Sequence, residues 1–380
     1  MMRNVMISVK RLKAKHWLII VLISYILCDY FGLLLYLKQS SYDTDFSYPF
    51  DGDVASLVAQ LKAGDKPKQK PVYEHDYFLY KSASDACLDE DGVRYEQLRV
   101  TFLVKSAVGH KDRRDVIRRT WGFPRRFSDV PMRTVFLLGH APDDVKLEAE
   151  VEAEAREHKD IVQGSFVDTY FNNTIKTGMG LRWAVEHCPK SRFYMFVDDD
   201  YYVSTRNVLA YLRNPLNYPG YLQEDVISFD EEEYKKQIGR KLHQLVDFDL
   251  PEDVRLFSGF VFPRSRPMRH KWSKWFVDLL EYPFDFWPPY VTAGAYILSR
   301  DGLVEMYYTS YYTRMFRFDD IWLGLIAKKA GLEPVHNSEF YFSAPQYTVN
   351  RYKYVIASHG FSQPDHMLTV WNQQKEAGHA

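Results

Sequence analysis

Cysteine is scarce. Only Cys28, Cys87 and Cys188 occur in 380 residues. Cys28 falls inside an apolar run, so at most one disulfide, Cys87 to Cys188, is open to the chain, with two buried thiols the alternative. Excess charge of either sign is also missing: 49 Lys and Arg stand against 50 Asp and Glu, a formal net charge of -1. No overall field therefore draws in nucleic acid, none is expected as a partner, and partners must be read from local sites. No internal repeat is evident, which sets repeat arrays aside. What is abundant is core-forming material. A chain that is 46% hydrophobic and 16% aromatic is not disordered and can bury one large core plus appendages.

Charge is unevenly placed at the start. Arg3, Lys10, Arg11, Lys13 and Lys15 precede residues 17–37, WLIIVLISYILCDYFGLLLYL, with no acidic residue among the first sixteen. At ~1.5 Å per residue this run covers a ~30 Å hydrocarbon core. Asp29, near its middle, costs roughly 2.5 to 3.5 kcal/mol, but thirteen Leu, Ile, Val and Phe residues return about 0.3 to 0.6 kcal/mol each. No small-residue cleavage site follows. The expectation is an uncleaved type II signal anchor at 17–37, with a cytoplasmic tail at 1–16 and everything beyond it lumenal. Residues 38–95, with KAGDKPKQKP as the most linker-like piece, read as a lumenal stem, and residues 96–380 as the folded domain. Asn172-Asn173-Thr174 is a glycosylation sequon that suits this topology.

Within 96–380, LRVTFLV (98–104), RTVFLLG (133–139), IVQGSFV (161–167) and RFYMFV (192–197) read as short buried strands. Helical stretches separate them, which predicts an α/β fold with a mostly parallel sheet of βαβ units and helices on both faces. Ligands collect beyond the carboxyl ends of such strands, and Asp198, Asp199 and Asp200 stand directly after the fourth. Three adjacent carboxylates call for a counter-charge, which a hard divalent cation supplies. An EF-hand loop beginning at Asp198 fails, because Tyr202 and Val203 occupy its fifth and sixth positions. A phosphatase-type Asp-x-Asp site remains a competitor. So does a cation clamped between a carboxylate and the diphosphate of a sugar nucleotide.

Several ordered segments decide between these. RRDVIRRTWG (113–122), DTYFNNTIKT (168–177), FVDDDYYV (196–203), YPFDFWPPYVTAGAYILS (282–299) and FRFDDIWLGLIAKKAGLEP (316–334) resemble the signatures of the β-1,3-glycosyltransferases, the galactosyltransferase and fringe-like group. The segments from 282 to 334 are most similar to insect members. The resemblance covers roughly 96–375 and implies a GT-A glycosyltransferase fold, Rossmann-like. It also implies a Mn²⁺-dependent inverting hexosyltransferase in the Golgi membrane that uses a UDP-sugar.

The same resemblance assigns candidate roles. Asp200 and Asp198 hold the metal, with His359 the histidine ligand and His336 its runner-up. Asp320 is the base, with Asp319 the runner-up. Arg114, Arg118, Asp168, Lys176 and Asp199 lie on the donor side, and Trp287, Tyr290 and Gly294 on the acceptor side. Read locally, FDDIWLGLIAKKAG is a helix with an Asp N-cap, which would leave Asp320 ionised but only weakly basic. The insect-like segments point to transfer of GlcNAc from UDP-GlcNAc to the 3-hydroxyl of a mannosyl residue in a glycolipid, as in glycosphingolipid synthesis, with UDP-galactose the alternative donor. A membrane-tethered phosphotransferase and a non-catalytic sugar-binding protein are the readings from other classes.

Overall fold

The computed structural model describes residues 14–47, 52–89, 92, 93, 95, 98–127, 130–223 and 250–380. They fall into two units: 14–47 with Pro263–Pro288, and the rest of the chain. The smaller unit begins with α1 (Ala14–Tyr30), 17 residues long. Gly32, in the left-handed region at φ 76°, ends it, and one further helical turn spans Leu33–Tyr36. The expected continuous helix over 17–37 is therefore broken at Phe31–Gly32. Among the described residues no helix is long and apolar enough to cross a membrane.

The larger unit opens with α2 (Val54–Lys62), β1 (Leu79–Ser82), β2 (Leu98–Lys105), α3 (Lys111–Arg119), β3 (Met132–His140), α4 (Val145–His158), β4 (Ile161–Val167), α5 (Asn173–His187) and β5 (Ser191–Asp198). It continues through β6 (Tyr201–Val203), α6 (Thr205–Tyr211), β7 (Phe257–Phe262), β8 (Tyr290–Ser299), α7 (Arg300–Ser310), α8 (Asp319–Lys329), β9 (Val335–His336), β10 (Phe340–Tyr341), β11 (Ala357–His359) and α9 (Pro364–Glu376). The four strands read from sequence form within a residue of their expected ends, and they are neighbours. The main sheet has the order β1-β4-β3-β2-β5-β8-β7-β9, and a small second sheet has β10-β11-β6.

The main sheet is mixed but mostly parallel, as expected: six of its eight strands run one way, with β1 and β8 against them. β4, β3, β2 and β5 run parallel, and β7 with β9, but β1 on β4, β5 on β8 and β8 on β7 pair antiparallel. The central strands are covered on both faces, which is why they read as unbroken apolar runs. Phe102, Phe193 and Met195 pack with Ile117 and Trp121 in one core. On the other face α5 lies so close that a Cβ at Gly180 would sit 2.6 Å from the Phe196 ring. Chain order runs outward from β2 through β3 to β4, then returns to β5 on the far side of β2. This reversal opens a crevice beyond the carboxyl ends of β2 and β5. Register there places Lys105 opposite Asp198.

The stem expectation needs correction. β1 belongs to the main sheet through β4, and Val54 and Val58 of α2 form a small core with Tyr312, so much of 52–89 is part of the folded unit. The two-thiol alternative also falls: Cys87 and Cys188 are joined, with Cα atoms 5.5 Å apart across 101 residues of sequence. Replacing both with serine is expected to lower the unfolding free energy by about 2–4 kcal/mol. Urea denaturation of variant and wild type, each with and without reductant, measures this. Identical midpoints in all four would contradict it.

Candidate active site

β5 delivers the aspartates, and the chain turns sharply at 199–200 before β6, so three adjacent carboxylates leave in three directions. Asp198 Oδ1 pairs with Lys105 Nζ at 3.0 Å. Asp199 turns inward, where its oxygens accept from Ser106 Oγ at 2.7 Å and Arg113 Nη1 at 2.9 Å and meet His110 Nδ1 at 2.8 Å. Asp200 Oδ2 lies 3.3 Å from His359 Nε2. That last pair follows from register: β11 runs antiparallel to β6 with His359 opposite Tyr201, and Phe361 N donates to Asp200 O at 2.8 Å. The repulsion implied by DDD is thus relieved mainly by separation, each carboxylate having its own cationic or protonatable partner.

Lys105 is the hub. It is buried at the end of β2, and Nζ donates to Asp319 Oδ2 at 2.8 Å and to Ala293 O at 2.9 Å besides pairing with Asp198. Burial opposes its charge, but the two carboxylates overcome this and hold the ammonium above its ordinary range. Asp319 also accepts from Thr177 Oγ1 at 3.1 Å. Both aspartates lie in the first turn of α8, and Phe318 takes the cap position, so the expected Asp N-cap does not form.

Asp320 Oδ1 accepts from Ile321 N at 2.8 Å. Among the described residues no Lys, Arg or His side chain forms an ion pair with Asp320. Burial first, and then the Asp319 charge, push its carboxyl up to about 7. The helix N-terminus does not keep it a weak base; burial outweighs the dipole. Burial likewise drives Asp198 up to about 7, with Asp319 and Asp200 adding to it against Lys105. The hydrogen bond to Asp200 raises the His359 imidazole against its burial. Tyr170, half exposed at the rim, lies in the same field: burial and then Asp319, Asp320 and Asp198 push its phenol up to about 12.

The donor-side candidates converge, but on a loop. Residues 106–110 follow β2 into α3, and Arg114, Asp168, Lys176 and Asp199 all grip them. Arg114, fully buried, donates to Ser106 Oγ, Ala107 O and Val108 O and forms two bonds to Glu154. Asp168 accepts from Val108 N at 2.9 Å and from Lys176 Nζ at 2.7 Å, while Lys176 also donates to Ser106 O at 2.7 Å. All five N–H groups of Arg114 are spent internally, so it braces the loop and does not reach a donor. Arg118 lies at the other end of α3. It bonds Asp115, Glu154 and Asp160 and lines a cavity of about 330 Å³ with Arg133 and Lys159, at the amino-terminal edge of the strands. Its expected donor role does not fit that place.

Of the acceptor-side candidates, Trp287 is a core residue of the smaller unit, its ring 4.0 Å from that of Tyr282. Tyr290 opens β8 and stacks on Phe262 at 5.4 Å. Gly294 has a steric reason to be glycine: a Cβ there would lie 2.0 Å from Tyr201 Oη. Gly294→Ala must push Tyr201, and with it the strand that positions Asp200, and is expected to cost about 1–3 kcal/mol. A thermal melt checks this; an unchanged Tm would contradict it. Asn172 Nδ2 donates to Val167 O, and Thr174 of the sequon is fully buried. His336 Nδ1 accepts from Val261 N.

A model of the galactosyltransferase family matches residues 112–236 and 224–338. Beta-1,3-galactosyltransferase brn of Drosophila melanogaster is 44% identical over 357 residues, which is 93% of this chain and 94% of that protein. This chain belongs to the galactosyltransferase family. Beta-1,3-galactosyltransferase 1 of Homo sapiens is 29% identical over 312 residues, 82% of this chain and 83% of that protein. Among solved structures, the galactosyltransferase LgtC aligns with a TM-score of 0.33 and 14% identity, covering 74% of this chain and all of LgtC. In this galactosyltransferase-family chain the residue that sequence reasoning missed is Lys105. A lone lysine closing the apolar run LRVTFLV, at the same sheet edge as DDD, was the available signal.

Among the described residues no group of three or more His, Cys, Asp or Glu side chains is arranged as a metal site. The donor chemistry nevertheless fits a hard divalent cation: Asp200 and His359 already face each other at 3.3 Å, and Asp198 bears electrostatically on both His359 and Asp200.

Proposed function

We propose that this chain is an inverting β-1,3-hexosyltransferase that takes a sugar from a UDP donor to the 3-hydroxyl of a glycolipid or glycan acceptor. The observation that carries the reading is Asp320, a carboxyl raised to about 7 without an ion-pair partner among the described residues, at the sheet's switch point in a galactosyltransferase-family chain. Asp320 Oδ2, the oxygen not engaged by Ile321 N, takes the proton of the acceptor hydroxyl. The hydroxyl oxygen attacks the anomeric carbon as the bond to UDP breaks on the opposite face, so configuration inverts. Lys105 and Thr177 hold Asp319 in place beside the base. A Mn²⁺ ion, held by Asp200, His359 and Asp198, would offset charge on the departing diphosphate. The loop 106–110 lies at the amino end of α3, and its rigid bracing suits a wall of the nucleotide site.

UDP-GlcNAc is the donor that the insect-like segments suggest, whereas the galactosyltransferase names of the relatives speak for UDP-galactose. Location in the Golgi lumen, anchored by the apolar N-terminal region as a type II protein, is supported by the Cys87–Cys188 bond, which needs an oxidising compartment. Full-length protein in detergent, offered UDP-GlcNAc or UDP-galactose with mannosyl and other glycolipid acceptors, tests the reaction. Transfer from one donor that is abolished by chelator, restored by Mn²⁺ and lost in Asp200→Asn is expected. Activity indifferent to chelator would sink the metal; phosphate release without sugar transfer would favour the phosphotransferase reading.

A further inference from the structure

Asp29 is the anomaly of the N-terminal apolar run, and within the smaller unit it has a partner: Lys271 Nζ lies 2.7 Å from its Oδ2, with both side chains about two-fifths exposed. Around this pair the end of α1 is docked on residues 268–277. Lys271 N donates to Tyr30 O at 3.3 Å, and the His270 ring meets Phe31 and Tyr36 edge-on. A Cβ at Gly32 would lie 2.0 Å from Arg269 O, so only glycine allows this backbone approach. The 268–277 loop is closed by a bridge between Met268 and Phe276. It is stiffened by the buried Arg269, which donates to Val277 O, Tyr282 O and Phe284 O. At its tip Trp272 is 61% and Trp275 40% exposed, interleaved with Lys271 and with Lys274, whose Nζ sits 4.5 Å over the Trp275 ring.

Large aromatics alternating with lysines on a rigid loop, next to an apolar helix, have the composition of a membrane interface. α1 itself is exposed on every side: the six consecutive residues from Leu18 to Ile23 are each between 42% and 71% exposed. A protein groove would cover one stripe of such a helix, whereas lipid covers all of it. We propose that the 268–277 loop rests on the bilayer in which α1 is embedded. Trp272 and Trp275 enter the headgroup region, Lys274 faces lipid phosphates, and the Asp29–Lys271 pair marks the water boundary. Asp29 then lies at the interface instead of in mid-membrane, and the embedded element is α1, 17 residues or about 25 Å at ~1.5 Å per residue, an anchor, shorter than the 17–37 run, around which the bilayer thins. The proposal rests on the membrane-anchor reading above.

Fluorescence of the full-length chain, reconstituted in phosphatidylcholine–phosphatidylserine vesicles carrying a shallow spin-labelled lipid, tests it. Of the eight tryptophans, Trp17 lies on α1 and Trp121, Trp183, Trp287, Trp322 and Trp371 are buried. The conservative variant W272F/W275F is therefore expected to lose at least about half of the shallow-label quenching, with its flotation unchanged. Equal quenching in variant and wild type, in protein that still floats with vesicles after alkaline extraction, overturns the loop proposal and leaves the anchor standing. Protein that fails to float overturns the anchor and the loop proposal together. Protection of Trp272 and Trp275 from aqueous iodide only when a second protein is added would also overturn it, in favour of a protein partner.

Discussion

Asp320→Asn lowers kcat by about 10²–10⁴, the range that a positioned general base contributes, while the protein stays folded. The asparagine keeps the size of the side chain and can still accept the hydrogen bond from Ile321 N that Asp320 Oδ1 accepts at 2.8 Å. What it removes is the ability of the free oxygen to take a proton. KM for the donor should change little, because no donor contact is removed. An active Asp320→Asn enzyme would reject Asp320 as the base and leave Asp319, already held by Lys105 and Thr177, as the alternative.

Stability separates this reading from that of a structural helix residue. The Asp320 carboxyl titrates near 7 in the folded chain and near 3.8 when unfolded. Between those values the native state keeps a proton that the unfolded chain has released, so stability falls as pH rises through that window. Asparagine carries no such penalty, so Asp320→Asn should melt at or above the wild-type temperature at pH 8 and near it at pH 4. Loss of a helix cap would instead cost about 0.5–2 kcal/mol at every pH. The wild-type pH–rate profile should show an acid limb near 7. Because Asp198 is raised to about 7 by the same surroundings, the limb belongs to the cluster until Asp320→Asn assigns it.

Much of this arrangement was legible in the chain, and what was not has identifiable causes. Strands buried on both faces announce themselves as apolar runs, so β2 to β5 and the placing of DDD after β5 could be read directly. β9 and β10, of two residues each, and β11, of three, are too short to show a period, and the mixed character of the sheet depends on long-range pairing that no local pattern records. Motif spacing found Arg114, Asp168 and Lys176 but misjudged their task. Residues that brace a loop against the site and residues that touch a ligand are the same polar types at the same strand ends, and only the count of occupied N–H groups on Arg114 tells them apart. Asp320 was found for its motif, but its basicity was misread from helix position because burial, the larger effect, depends on what α8 packs against.

Lys105→Met is expected to cost roughly 3–5 kcal/mol, at the lower end because Asp198 keeps some solvent, and to lower kcat by about 10² or more. Methionine preserves the length of the side chain and removes the charge that two carboxylates share at 2.8 and 3.0 Å. Nothing else in contact replaces it: Asp319 would retain Thr177 at 3.1 Å, and Ala293 O would lose its donor. The kinetic effect follows because Asp319 loses its main anchor beside Asp320. The deficit should be greatest at pH 8, where Asp198, pushed up to about 7 by burial, is ionised, and shrink toward pH 4, where its protonated carboxyl needs no counter-ion. Lys105→Met/Asp319→Asn should recover part of the lost stability without recovering activity, because it removes one unpaired charge and leaves the anchor missing. Urea denaturation of the two single variants and the double at pH 8 and pH 4 gives the coupling energy directly. Denaturation midpoints for Lys105→Met that match wild type at pH 8 would mean that solvent already screens this cluster, and the raised Asp320 carboxyl on which the catalytic reading depends would lose its physical basis.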